Sequence, residues 1–272
     1  MLVSVITTCF NAEKCIEKTI RSVLSQTFRD FEYIIMDGAS ADDTLKIAQS
    51  YNGLFEKAGI PYHIYSQKDN GIYDGMNHGV ARCSGEFVNF MNADDEFYDH
   101  RVLSDIFENR DYKDTGVIYG DAAEEEYGEL YLFVKNFEGI KKRMPFSHQS
   151  VFARRELLMR YPFSEKYRIA ADYDFLLNCY DEGVKFSDSQ VMVCRVSKDG
   201  VSSLKLYDTF MDTEKMLASH GYPRYEGAAL SRKLFGLRIR QFGMDVLPDF
   251  VKKTIRRLQR KSRGQDQRVQ LL

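Results

Sequence analysis

Gly85-Glu86-Phe87-Val88-Asn89-Phe90-Met91-Asn92-Ala93-Asp94-Asp95 runs a short apolar segment straight into two adjacent carboxylates. Phe87, Val88, Phe90 and Met91, bounded by Gly85 and an Asn/Asp cluster, suit a buried strand of a largely parallel sheet. Ligands of such sheets bind beyond the carboxyl ends of the strands, so Asp94 and Asp95 are expected where a ligand lies. Carboxylate oxygens are hard donors for Mg²⁺ or Mn²⁺, ions that complete their shells with phosphate oxygens and water. Two readings of the stretch compete: a metal-binding strand end, and an Asx-rich turn that caps the next helix.

Upstream, Leu2 to Thr8 is β-branched and apolar and reads as a central strand. Asn11 is a candidate N-cap for a helix whose buried stripe is Ile16, Ile20, Val23 and Leu24 and which ends near Gln26. Tyr33 to Met36 is a second strand that stops at Asp37. Asp42 or Asp43 is placed to cap a helix carrying Leu45 and Ala48 and closed by Gly53, and Tyr62 to Tyr65 forms a third strand. This βαβαβ order implies a doubly wound α/β sheet. The first turn, Thr7 to Asn11, lacks the glycine-rich loop of a dinucleotide site, and the sequence has no Gly-Lys-Ser/Thr triplet. A dehydrogenase and a P-loop enzyme are therefore disfavoured.

Between the third strand and the opening stretch, Gly71, Gly75 and Gly79 punctuate a polar segment at four-residue spacing. They fit a short helix that approaches either a ligand or a neighbouring backbone closely. Downstream, Val102, Leu103, Ile106 and Phe107 form one face of a helix, and Val117 to Asp121 is a strand. Glu124 to Glu126 reads as a solvated loop, followed by a hairpin strand over Leu130 to Val134. His148 lies at the edge of the apolar run that ends in Val151-Phe152, where a structural role competes with a metal or phosphate role. A helix follows from about Ile169 to Gly183. Its periodicity puts Asp172 on the inward stripe with Phe175, Leu176 and Cys179, and Asp174 on a more polar face with Asn178 and Asp181. A strand over Val191 to Val193 and the loop Asp199 to Ser203 complete a domain of residues 1–203, divided into a nucleotide-binding half, 1–121, and an acceptor half, 122–203.

Residues 204–272 read as a helical extension. Within it Val251, Ile255 and Leu258 share a face ringed by six cations between Lys252 and Lys261, which fits either an anionic membrane surface or a solvated packing helix. The net charge of −2 gives no reason to expect a nucleic-acid partner. Five cysteines without CxxC spacing indicate neither a disulfide framework nor a zinc site. With no leader and no apolar run long enough to span a bilayer, the expected location is the cytoplasm, or the inner face of the membrane as a peripheral protein.

Taken together, Val3 to Asn11, Ser22 to Phe28, Ile35 to Thr44, Asp69 to Asn77 and Asn92 to Asp95 resemble, in order and spacing, the family 2 glycosyltransferases of the GT-A fold. The resemblance covers most of residues 1–203. It implies a Rossmann-like, mostly parallel sheet flanked by helices, followed by the C-terminal helical extension. It also implies an inverting, metal-dependent glycosyltransferase that moves a sugar from a nucleotide-diphosphate donor, expected to be a UDP-sugar, to a saccharide or lipid-linked saccharide in cell-surface polysaccharide or lipopolysaccharide synthesis. Carried over residue by residue, Thr8, Asp37 and Asp69 match positions that line the nucleotide pocket, Asp94 matches the ribose contact and Asp95 the ligand of Mg²⁺ or Mn²⁺. The family's acid-base Asp often follows a Glu at a helix start. Here Ala171 stands in place of that Glu, which leaves Asp172 as the base with Asp174 as its rival. His148 and Gln149 resemble an element near the diphosphate or acceptor, and His148 is the second candidate metal contact. A nucleotidyltransferase on a similar sheet and a non-catalytic sugar-nucleotide or glycan-binding module are the alternatives.

Overall fold

The computed structural model describes residues 1–126, 128–197, 206–248, 251–255 and 258. The chain opens with β1 (Val3–Cys9), α1 (Ile16–Leu24), β2 (Phe31–Asp37), α2 (Thr44–Ser50), α3 (Asn52–Ala58), β3 (Tyr62–Ser66), α4 (Ile72–Arg82) and β4 (Phe87–Phe90). It continues through β5 (Glu96–Phe97), α5 (Val102–Phe107), β6 (Val117–Glu126), β7 (Glu129–Leu132), β8 (Val151–Arg154), α6 (Arg155–Arg160), α7 (Ala171–Asp181), β9 (Phe186–Ser197), α8 (Leu206–Ser219) and α9 (Gly227–Val246). The nine strands among the described residues join one sheet in the order β3-β2-β1-β4-β8-β6-β9-β5, with β7 beside β6.

Every residue of β1 and β2 is buried, as expected of central strands covered on both faces. Their period-2 alternation divides the core. Val3, Val5, Phe31, Tyr33 and Ile35 face the layer that holds α1, α3 and α5, whereas Ile6, Ile34 and Met36 face α4 and, farther along, α7. The glycines of α4 bring that helix down onto the sheet. A Cβ on Gly79 would lie 2.7 Å from Ile6 Cγ2, so both the close approach to the sheet and the helical expectation for this segment are met.

β1 pairs in parallel with both β2 and β4, so the chain leaves β1 on one side through α1 and returns on its other side through α4. This reversal opens a crevice beyond the carboxyl ends of β1 and β4. β8 then runs antiparallel to β4 and β6 and brings the segment before it, His148 to Ser150, back over the same crevice. Buried Asn89 of β4 fixes that return by donating to Gln149 O and Val151 O, both at 2.9 Å.

Several local expectations are corrected. Asn11 is not an N-cap: it has φ +48°, its side chain accepts from Ala41 N at 2.9 Å, and its N–H donates to Ser40 Oγ, so it ties together the loops after β1 and β2. Gly53 lies inside α3, and left-handed Gly59 (φ +69°) provides the stop. Of the two expected caps of α2, Asp42 supplies the oxygen, to Thr44 N at 3.0 Å, as the sequence allowed. Glu124 to Glu126 is not a loop. These residues extend β6 between β7 and β9, because pairing on both edges outweighs the poor strand preference of glutamate. The Asn92–Asp95 turn does not cap a helix either, since it leads directly into β5. The Asp199–Ser203 loop lies outside the described residues, as does half of the basic 250–261 segment.

α8, the first helix of the expected extension, packs Met216 and Leu217 into the core beside Phe163, Tyr167 and Ala171. Asp212 on α8 also caps α7 from a distance: its Oδ2 accepts from Ile169 N at 2.8 Å and Ala170 N at 3.0 Å. Tyr73 of α4 donates to Ile169 O at 2.7 Å, so the turn entering α7 is held from two sides. Asp212→Ala leaves two N–H groups without their acceptor and is expected to cost about 1–3 kcal/mol. Asp172 follows this turn directly, so loosening the turn is expected to displace that carboxylate as well, and Asp212→Asn, which keeps an acceptor oxygen, to recover most of the loss. Thermal melts of the two variants check this: Asp212→Ala is expected to lower Tm and Asp212→Asn to restore most of it, and an unchanged Tm for Asp212→Ala would remove the capping role.

Candidate active site

The carboxyl ends of β1, β2 and β4 deliver the predicted residues to the crevice in two groups. In the first, Asp37 closes β2 and is buried. Its carboxylate accepts from Ser66 Oγ at 2.6 Å and from the backbone N–H and hydroxyl of Ser40. Asp69 accepts from Gly71 N at 3.0 Å and lies against Gly38 and Gly75, where added Cβ atoms would come within 2.9 and 3.2 Å of its Oδ2. Thr8 meets the same helix turn: a Cβ on Gly75 would lie 3.3 Å from its Cγ2. Thr8, Asp37 and Asp69 thus form one polar wall whose close packing requires Gly38 and Gly75.

The second group lies beyond β4. Asp94 adopts φ +84°, a left-handed geometry that Asp tolerates better than most residues. This bend sends the two neighbouring carboxylates to different surroundings. Asp94 is half-exposed and pairs with Lys18 of α1 at 2.6 Å, a surface contact of small energetic weight. Asp95 is only 6% exposed, accepts from Gln149 Nε2 at 2.7 Å and from Ser197 N at 3.3 Å, and is pushed up to about 6 by its burial.

His148 joins this group to α7. Its Nε2 is 3.0 Å from Asn92 Nδ2, and its Nδ1 is 3.3 Å from Asp172 Oδ2. Thr8 Oγ1 donates to Asn92 Oδ1 at 2.7 Å, so a continuous chain of contacts runs from β1 to the α7 carboxylate. Burial works against charge on the His148 ring. The hydrogen bond and charge of Asp172, with the charge of Asp95, outweigh it and hold the pKa above that of an ordinary imidazole. Asp172 Oδ1 also receives its neighbour Tyr173 N at 2.9 Å and lies 3.1 Å from Tyr73 Oη. Tyr73 stays a neutral donor, because burial and the adjacent Asp172 both raise its pKa well above the ordinary value. Beneath His148 and Asp172 the pocket wall is apolar, formed by Val88, Phe90, Phe163 and Phe175 among others.

Asp174 goes elsewhere. It pairs with His220 Nε2 at 2.9 Å, and Asp181 takes the other ring nitrogen at 2.9 Å. Ala171 is fully buried, so the position before Asp172 is occupied by core. The structure therefore brings Thr8, Asp37, Asp69, Asp94, Asp95, His148 and Asp172 to one crevice and leaves Asp174 at the α7–α8 contact. The supporting roles of Lys18, Tyr73, Asn92 and Asp212 were missed. Tyr73 and Asn92 lie within motif segments and were open to suspicion on that ground, whereas nothing in the local sequence distinguishes Lys18 or Asp212.

Among the described residues no three His, Cys, Asp or Glu side chains are grouped to cage a metal ion. The donor set does fit a hard divalent cation that draws most of its shell from diphosphate and water. Asp95 is a desolvated carboxylate with only two hydrogen bonds, so oxygen lone pairs remain for such an ion.

Residues 4–166 match the family described as glycosyl transferase family 2. The chain is 29% identical over 179 residues to a PGL/p-HBAD biosynthesis glycosyltransferase of Mycobacterium tuberculosis, covering 65% of this chain and 69% of the relative. Among solved structures it is similar to S. aureus TarS in complex with UDP-GlcNAc, with TM-score 0.65, 20% identity, and coverage of 89% of this chain and 73% of that one. It is also similar to the mannosyltransferase PcManGT of Pyrobaculum calidifontis in complex with GDP-Man and Mn²⁺, with TM-score 0.64, 17% identity, and coverage of 86% and 68%. These structural likenesses establish the GT-A fold expected from the sequence. With the family match spanning more than half of the sequence, the chain belongs to glycosyl transferase family 2 and is a glycosyl-transferring enzyme.

Proposed function

We propose that the protein transfers a sugar, with inversion, from a nucleotide-diphosphate donor, a UDP-sugar in the first instance, to a hydroxyl of a saccharide or lipid-linked saccharide in cell-surface polysaccharide synthesis. The observation that carries the reading is the separation of two carboxylates by His148: desolvated Asp95 at the end of β4, and Asp172 at the start of α7. The nucleotide lies along Thr8, Asp37 and Asp69, with Asp94 at the ribose. Asp95 holds Mg²⁺ or Mn²⁺, which when bound neutralises charge on the leaving diphosphate.

Asp172 receives the proton of the acceptor hydroxyl at its carboxylate. Tyr73 and the Tyr173 N–H hold Oδ1, so Oδ2, the oxygen nearer His148, is the one turned to the crevice chemistry. His148 Nδ1 faces that oxygen at 3.3 Å and holds it in position for the acceptor hydroxyl. With Asp172 acting as a base on the acceptor rather than as a nucleophile, the reaction is a single displacement, hence inversion. His148, with both ring nitrogens engaged by Asn92 and Asp172, fits a positioning role better than the metal-contact role read from the sequence, and we assign it so.

The test is nucleotide release from a panel of UDP-, GDP- and dTDP-sugars with Mn²⁺ or Mg²⁺, followed by the anomeric configuration of the product with a saccharide acceptor. One donor class is expected to turn over and to give inverted product. Absence of release from every donor, with folded protein and metal present, would overturn the reading, and retained configuration would overturn the inverting part alone.

A further inference from the structure

α9 is apolar on two faces, and the neighbouring helix α8 accounts for only one of them. Leu230, Leu234 and Leu237 are partly buried. On the opposite side Phe235, Ile239, Phe242 and Val246, at i, i+4, i+7 and i+11, form one continuous stripe whose members are 58–71% exposed. At 3.6 residues per turn, Arg232 falls along one edge of this stripe and Arg238 along the other. Arg238 donates to Tyr207 Oη at 3.3 Å and lies over the Tyr207 ring, so it anchors α9 to α8 while its stem borders the stripe. Four large apolar side chains in line on a solvent-facing helix are more than scattered surface hydrophobics and mark an interaction face.

Charge identifies what covers it. Residues 227–261 contain ten cations against two carboxylates, Asp245 and Asp249, although the whole chain has a net charge of −2. The protein is therefore an acidic body with one strongly basic end, and the apolar stripe belongs to that end. A second copy seated symmetrically on the stripe would bring two such basic segments together, which like charge opposes. An anionic lipid surface satisfies both components, taking up the apolar stripe at the acyl boundary and the flanking cations at the headgroups. No helix among the described residues is long and apolar enough to cross a membrane, so the geometry is that of a helix lying in the interface.

We infer that α9 docks the enzyme on an anionic bilayer through Phe235, Ile239, Phe242 and Val246, with Arg232 and Arg238 at the headgroup level. This is independent of the donor and of the identity of the base. The full chain is to be co-sedimented with phosphatidylcholine vesicles and with phosphatidylcholine/phosphatidylglycerol vesicles at low and high salt. Wild type is expected to bind the anionic vesicles, less strongly as salt rises. Phe235→Ser/Phe242→Ser is expected to lose about tenfold or more of that binding at every salt concentration, with donor hydrolysis unchanged. Arg232→Gln/Arg238→Gln is expected to lose mainly the salt-sensitive part. Binding of the Phe235/Phe242 double variant equal to wild type overturns the inference, as does failure of wild type to bind anionic vesicles. If wild type is a dimer by sedimentation equilibrium and the double variant is a monomer with unchanged vesicle binding, the stripe belongs to a second copy instead.

Discussion

Asp172→Asn is expected to lower kcat for sugar transfer by about 10³-fold, within the range that a positioned general base contributes, while donor affinity changes by less than about twofold. The asymmetry follows from position. Thr8, Asp37 and Asp69 line the crevice along β1, β2 and the segment before α4; Asp37 and Asp69 bond within that segment and the β2–β3 loops, and Thr8 reaches α7 only through two intervening side chains, Asn92 and His148. Asn keeps the shape of Asp and can still accept from Tyr173 N and Tyr73, so the helix start is preserved and only proton acceptance is lost. Asp174→Asn is the control. It weakens the contact with His220 and lowers stability, by about 1 kcal/mol for a partly screened pair, without reaching the crevice. Initial rates of nucleotide release with acceptor present, set beside calorimetric donor binding, separate the two variants. A kcat for Asp172→Asn within threefold of wild type, or a larger loss from Asp174→Asn, would move the base elsewhere.

Asp95→Asn is expected to inactivate the enzyme and to stabilise its metal-free form, opposite signs with one cause. Burial raises the carboxyl from its ordinary value near 3.8 to about 6, so above pH 6 the fold carries a charge that its surroundings disfavour. Between those two values the native state binds more protons than the unfolded chain, and stability therefore rises as pH falls through this window. Removing the charge is expected to raise stability at pH 7.5 by about 2–3 kcal/mol, the worth of roughly two pKa units, or roughly 4–8 °C in Tm for a chain of this size. The advantage is expected to shrink at pH 5 and to vanish near pH 4. Turnover is expected to fall about a hundredfold or more, since the metal's charge stabilisation is lost with its ligand. Thermal melts across pH provide the readout: Mn²⁺ added to the protein saturated with nucleoside diphosphate should raise the wild-type Tm further and leave the variant's unchanged. Full metal-dependent turnover by Asp95→Asn would remove Asp95 from the metal role.

The first of these residues was more legible than its partners. Asp172 could be placed on the inward face of α7 from helical periodicity alone, because residues three and four apart share a face whatever the helix packs against. Asp94 and Asp95 were placed at a strand end by the apolar run before them. Their different surroundings, a half-exposed pair with Lys18 and a buried contact with Gln149, depend on the left-handed backbone at Asp94 and on β8 returning beside β4. Glu124 to Glu126 misled for a related reason: three consecutive acids look solvated until two flanking strands are present to pair with them. Asn11 likewise has the chemistry of a cap, but the nearby β2–α2 loop offers its side chain a better partner.

By itself the sequence determined the βαβ order, the strand ends that carry Asp37, Asp94 and Asp95, the helical face of Asp172 and the family resemblance. The first three rest on local periodicity and turn chemistry, the resemblance on the order and spacing of five separate segments. Only the tertiary structure shows the different surroundings of Asp172 and Asp174, the bridging position of His148 and the capping of α7 by Asp212. Those depend on pairs far apart in the chain: Asn92 with His148, 56 residues apart, Tyr73 with Asp172, 99 apart, and Ile169 with Asp212, 43 apart. A hydrogen bond across such a separation leaves no periodic trace in the sequence. It exists because packed layers of helix and sheet fix both partners before the bond forms.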